Sequence, residues 1–156
     1  MQTLFFSCAL SCLFLFSIPA SAQKRLCTEL ERTKLLDDIT QNINYILLQK
    51  SGYKKNVSYN KEYRASQITF YNGPNSFIFL KFRYKYILAV VNTIKPEPLL
   101  SSIIQVGNTK TDALKKVGVK KTHDCLKLYD DTGFLNADIL FRGGYVYKIL
   151  FYSTID

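Results

Sequence analysis

The sequence predicts an α+β protein in which helices pack on an antiparallel sheet. Three observations carry that prediction. An early stretch repeats its apolar residues at helical spacing. Later segments are rich in β-branched and aromatic residues and are separated by turn signals. The order of helix followed by strands then occurs a second time, in shorter form.

The first 22 residues stand apart from this fold. Leu4 to Ile18 is a nearly unbroken apolar run, followed by Pro19 and by Ala20-Ser21-Ala22, a pattern that signal peptidase cuts. A bilayer span needs about 20 apolar residues, more than this run offers. Residues 1–22 are therefore expected to be a signal peptide, leaving an exported chain from Gln23 to Asp156. No Lys or Arg precedes the apolar run, so an uncleaved anchor or a buried helix is the alternative. A lipid anchor requires Cys just after the cut, and position 23 is Gln. The expected location is periplasmic or secreted, with no transmembrane segment in the exported chain.

Of 4 cysteines, Cys8 and Cys12 leave with the signal. Cys27 and Cys125 remain, an even pair in an oxidising compartment, and are expected to be bonded. Two free thiols are the alternative, because sequence does not fix their separation.

Thr28 and Glu31 fit a capping box. Leu30, Leu36, Ile39, Ile43, Ile46 and Leu47 then mark one apolar stripe, so a single helix is expected from Thr28 to Ser51, with Gly52 just past its end. Strands are expected at 57–63, 67–71, 77–82 and 86–93, the middle pair turning at Asn72-Gly73-Pro74-Asn75. Phe77 to Thr93 is too long for one strand, so a turn belongs near Arg83-Tyr84-Lys85. Lys95-Pro96-Glu97-Pro98 links the halves. In the second half, Thr109 and Asp112 cap a short helix, Lys110 to Val117, which Gly118 stops. Strands follow at 124–129, 135–141 and 145–152, with turns at Asp130-Asp131-Thr132-Gly133 and Arg142-Gly143-Gly144. Lys50 to Lys55 and Lys116 to Lys121 share the pattern K-x-G-[V/Y]-K-K at matching places. One α+β domain, 23–156, is expected, with 26–95 and 100–156 as candidate repeats.

Ile104-Gln105-Val106-Gly107-Asn108-Thr109-Lys110, then Ala113-Leu114 and Val117-Gly118, resembles the SmpA/OmlA family, which includes BamE. Arg142-Gly143-Gly144-Tyr145-Val146 sits where that family has a late hairpin. The resemblance covers about Ile103 to Tyr152. It implies helices on an antiparallel sheet, used as a binding scaffold. It extends to β-lactamase-inhibitor-protein-like folds, where two such units stand in tandem. The family's usual lipid anchor is not matched at Gln23.

Catalytic patterns are sparse. His123 stands beside Asp124 and Cys125, but no third group is in place to orient a Cys–His pair. One His and two Cys fall short of a zinc site. Asp130, Asp131 and Asp138 lack calcium-loop spacing. Glu62 and Asp131 would form a hydrolase pair only if the fold joined them. No cofactor is expected. Asn56-Val57-Ser58 is a glycosylation sequon that matters only in a eukaryotic host.

Charge and tyrosine supply the positive signal. Lys and Arg number 21 against 12 acids, a net charge of +9, which favours acidic partners. Tyr71, Lys81, Arg83, Tyr84, Lys85 and Tyr86 are the candidate partner-binding residues, since Tyr and Arg combine apolar area with a polar handle. If Lys81, Arg83 and Lys85 share one strand, they form a basic stripe on one face. The function expected is that of an exported, non-catalytic binding protein of the cell envelope. It would be a scaffold, or an inhibitor or immunity-type protein that holds an enzyme. An acidic protein is the expected partner and an anionic envelope polymer the second; nucleic acid is not expected. The alternative is a small hydrolase acting on such a polymer.

Overall fold

The computed structural model describes residues 27–155, and the expected signal peptide lies outside the described residues. Eight strands form one sheet: β1 (Cys27–Glu31), β2 (Lys54–Asn60), β3 (Ala65–Asn72), β4 (Asn75–Phe82), β5 (Lys85–Thr93), β6 (Cys125–Tyr129), β7 (Leu135–Arg142) and β8 (Tyr145–Ser153). Their spatial order is β1-β6-β7-β8-β5-β4-β3-β2. All neighbours are antiparallel except β1 and β6. The last strands of the two halves, β5 and β8, meet at the centre, with Val91 opposite Phe151. Each half's final hairpin carries one register shift, at Ile78/Phe79 and at Leu140/Phe141. Such bulges bend and twist the strands that hold them.

Among the described residues, three α-helices and one 3-10 turn (Pro98–Leu100) complete the fold: α1 (Thr33–Asn42), α2 (Tyr45–Lys50) and α3 (Lys110–Val117). The α-helices cover one face of the sheet. Leu36, Ile39, Ile43 and Leu48 of α1 and α2, and Ala113, Leu114 and Val117 of α3, share one core with Phe70, Phe77, Phe79, Val91, Ile139 and Phe151. Burying a side chain of this kind contributes about 1.5–3 kcal/mol. A smaller cluster on the opposite face, built on Ala65, Leu80 and Ala89, contains no helical residue. The fold class is thus α+β with helices on a largely antiparallel sheet.

The second helix-and-strands unit forms as its residues predict. The Thr109 hydroxyl accepts from the Asp112 N–H at 3.1 Å and donates to the Asp112 carboxylate at 2.7 Å. Gly118 ends α3 in the left-handed region at φ 74°, where a Cβ is strained. The loop before α3 is tied to the β7–β8 turn, as Gly107 N–H donates to Val146 O and Lys110 N–H to Gly144 O.

The first helix departs from expectation. Residues 28–31 are not its opening turn but part of β1, and no Thr28–Glu31 capping box forms. The cause is long-range. Cys27 is bonded to Cys125, with Cα atoms 4.6 Å apart, and this sets the parallel register of β1 on β6. The Thr28 hydroxyl instead meets Thr122 at 2.9 Å. Helix α1 begins after Arg32, whose Nε donates to Val117 O at the end of α3 (2.7 Å). The stretch also breaks at Asn44, whose side chain caps a separate α2 by accepting from Leu47 N–H at 2.9 Å.

Candidate partner-binding groove

The break at Asn44 turns α2 so that it faces the β4–β5 hairpin across a groove of about 1010 Å³. Ile43, Tyr45, Ile46 and Leu47 line one wall. Phe79, Tyr84, Lys85, Tyr86 and Leu88 line the other. Ile46 and Leu47, expected on the buried stripe, are 64% and 44% exposed. Exposed aliphatic side chains at the mouth of an apolar groove mark a surface suited to contact.

Tyr45 organises the groove. Its ring stacks on Tyr86 at 3.8 Å between centroids and meets Phe70 and Phe79 edge-on at 5.6 and 5.9 Å. The Lys55 ammonium donates to the Tyr45 hydroxyl at 3.1 Å. That hydrogen bond draws the phenol below its ordinary pKa of 10.0, against the opposing effect of burial. Lys81 lies 5.7 Å from the Tyr86 ring centroid. The tyrosine pair is therefore held between two ammonium groups, an arrangement favoured by the negative face of each ring.

The six residues singled out from sequence fall into two places. Lys81 and Tyr86 are directly opposed across β4 and β5, and Lys85 is opposed to Phe82. Arg83 and Tyr84 form the turn between them. The basic stripe along a single strand does not exist, because the chain reverses at Arg83-Tyr84; the cations cluster instead around a hairpin tip. Tyr84 is 86% exposed there, with the Arg83 guanidinium 5.2 Å from its ring centroid. Tyr71 is elsewhere. It follows Phe70 on β3, so it points to the face opposite the helices, near the far end of the strand pair.

Sequence reading missed Tyr45, Ile46 and Leu47 as groove residues, since their spacing continues the helical stripe. Asn44 carried the usable signal, being a strong N-cap residue in the middle of that stripe.

The other candidates resolve separately. Cys125 is in the disulfide and has no thiolate to pair with His123. His123 lines a second cleft of about 600 Å³ with Lys110, Lys120 and Lys121. Glu62 lies in the β2–β3 turn and Asp131 in the β6–β7 turn, on opposite sides of the sheet, so they do not form a pair. Asp130 is a turn residue. Its burial is outweighed by hydrogen bonds from Thr132 and the backbone at Leu135, which hold the carboxyl below its ordinary pKa. Among the described residues, no three His, Cys, Asp or Glu side chains form a metal-binding group. No helix of the described residues is long and apolar enough to cross a membrane.

Glu97, expected in a plain linker, is fully buried. Its carboxylate accepts from the Tyr53 hydroxyl at 2.7 Å and from the Asn72 and Asn75 amides at 3.2 Å each. Asn75 in turn accepts from the N–H groups of Ile94 and Lys95. This network fastens the link between the halves to the β3–β4 turn.

Compared with known families, curated proteins and solved structures, the chain finds no significant match.

Proposed function

We propose that this chain is an exported, non-catalytic binding protein of the cell envelope, a scaffold or an inhibitor-like module, which grips an acidic protein at the groove between α2 and the β4–β5 hairpin. The observation that carries the reading is the hairpin tip. Tyr84 stands 86% exposed beside an apolar groove. Lys81, Arg83 and Lys85 surround it, with no carboxylate among the groove-lining residues. Aromatic anchors inside a polar rim are the usual make-up of an interface centre. The disulfide suits an oxidising compartment and so favours export. The resemblance of Ile103 to Tyr152 to the SmpA/OmlA family supports a scaffold role through its fold alone.

The test uses tagged protein recovered from the export compartment and mixed with envelope extract at moderate salt. One stoichiometric acidic protein is expected to be retained. A triple Lys81→Ser, Arg83→Ser, Lys85→Ser variant, and separately Tyr84→Ser, should lose it. Retention of the same protein by both variants would place the contact elsewhere. Salt-sensitive retention of polymer alone would sink the protein-partner reading and reopen the hydrolase alternative.

A further inference from the structure

Among the described residues, β2 is an outer edge of the sheet, with β3 as its one neighbour. Its 7 residues, KKNVSYN, pair with β3 without a register shift. All but Asn60 are exposed. Edges are usually blunted by shortness, bulges, proline or distributed charge. Here the strand is regular, and its charges, Lys54 and Lys55, stand at one end only. Val57 is opposed to Ile68 of the main core and so shares the helix-bearing face, yet it is 57% exposed; Tyr59, on the same face, is 64% exposed.

The strand is complementary to itself. In an antiparallel pairing about Val57, Val57 meets Val57 of a second copy. Asn56 then meets Ser58, Lys55 meets Tyr59, and Lys54 meets Asn60. No two charges are opposed. Each Lys55, whose ammonium donates to Tyr45 of its own chain, stands opposite a tyrosine of the other, and each Asn56 opposite a serine. The two Lys55 residues lie four positions apart along the junction, roughly 13 Å at strand spacing. This register pairs every residue of the strand; a register centred on Lys55 would oppose two ammonium groups.

We infer that two copies of this chain join β2 to β2 about a two-fold axis at Val57, making one sheet continuous through both. The inference does not rest on the proposed function, although Lys55 at this edge also donates to Tyr45 of the groove.

Light scattering after size exclusion tests it, on the full chain expressed with its leader and recovered as the host processes it. The expected mass is twice that of one chain at about 100 μM. Val57→Lys should give the single-chain mass with an unchanged circular dichroism spectrum, since it sets two ammonium groups against each other at an exposed position. Val57→Cys should form an inter-chain disulfide without added cross-linker, and Ser58→Cys should not, because only residue 57 faces itself. Tyr84→Ser should leave the dimer intact. A single-chain mass for the unaltered protein would overturn the inference. So would a dimer that survives Val57→Lys, or one in which Val57→Cys does not cross-link.

Discussion

Glu97 shows how much one side chain holds in this fold. It is fully buried and takes its hydrogen bonds from Tyr53, Asn72 and Asn75. Each buried donor left without an acceptor costs about 1–3 kcal/mol. Glu97→Leu is therefore expected to lower stability by about 3 kcal/mol or more in urea denaturation, and Tyr53→Phe by about 1–2 kcal/mol. Burial, with the neighbouring Glu97 carboxylate, pushes the Tyr53 phenol up to about 12 from 10.0. A raised pKa means that the folded state holds the proton more tightly. The associated stability is whole below pH 10 and is lost as pH rises towards 12. Denaturation midpoints across that window should fall for the unaltered protein and flatten for Tyr53→Phe. Asp138 gives a second pH effect, with the opposite practical consequence. Burial raises its carboxyl above 3.8, Lys127 opposes this and Glu29 adds to it. Among the described residues, its buried Oδ1 has no hydrogen-bond partner. The folded state again favours the protonated form, so stability falls as pH rises through the folded pKa. Asp138→Asn should stabilise the protein at pH 7, with the gain vanishing below about pH 4. None of this was legible in the sequence. A glutamate between two prolines reads as solvated linker until the β3–β4 turn is folded against it.

Helix α2 and the β4–β5 hairpin are the elements that make the groove. Asn44 caps α2, and Asn44→Ala should cost about 1 kcal/mol of stability while loosening the Tyr45–Tyr86 stack, measured by thermal melting. Tyr84→Ala is expected to change stability by less than about 0.5 kcal/mol, as a surface position does, yet to weaken partner binding at least about tenfold in titration calorimetry. Equal binding by that variant would remove the hairpin tip from the interface. The hairpin's turn was visible from strand length alone, since β4 and β5 together exceed what one strand spans. The shift of its cations from a stripe to a tip follows from that same turn. The bend between α1 and α2 was marked only by Asn44, because apolar spacing continues through it from Ile43 to Ile46 and Leu47. Periodicity reports which positions are apolar, not which of them a neighbouring layer covers.

Across the whole molecule, the Cys27–Cys125 disulfide joins the two outermost strands on one side of the sheet over a separation of 98 residues. The chain-entropy relation gives a closed loop of that size about 4–5 kcal/mol. Paired Cys27→Ser and Cys125→Ser substitutions should lower the melting temperature and release β1 as the first segment to exchange its amide protons. No change in protection at Thr28 to Glu31 would show that strand pairing alone holds β1. The amino-acid sequence by itself determined the fold class, most strand positions, and α3 with its Thr109 cap and Gly118 stop, and it pointed to a bond between Cys27 and Cys125 that the fold then formed. These rest on local chemistry: alternation, capping groups, residues that accept positive φ, and the redox preference of thiols. The tertiary structure alone decided that Cys27–Glu31 is a strand, that Glu97 is buried, and that Ile46 and Leu47 are exposed. Each of those depends on which distant segment arrives as a neighbour, and side-chain burial and strand pairing are energies between segments rather than within one.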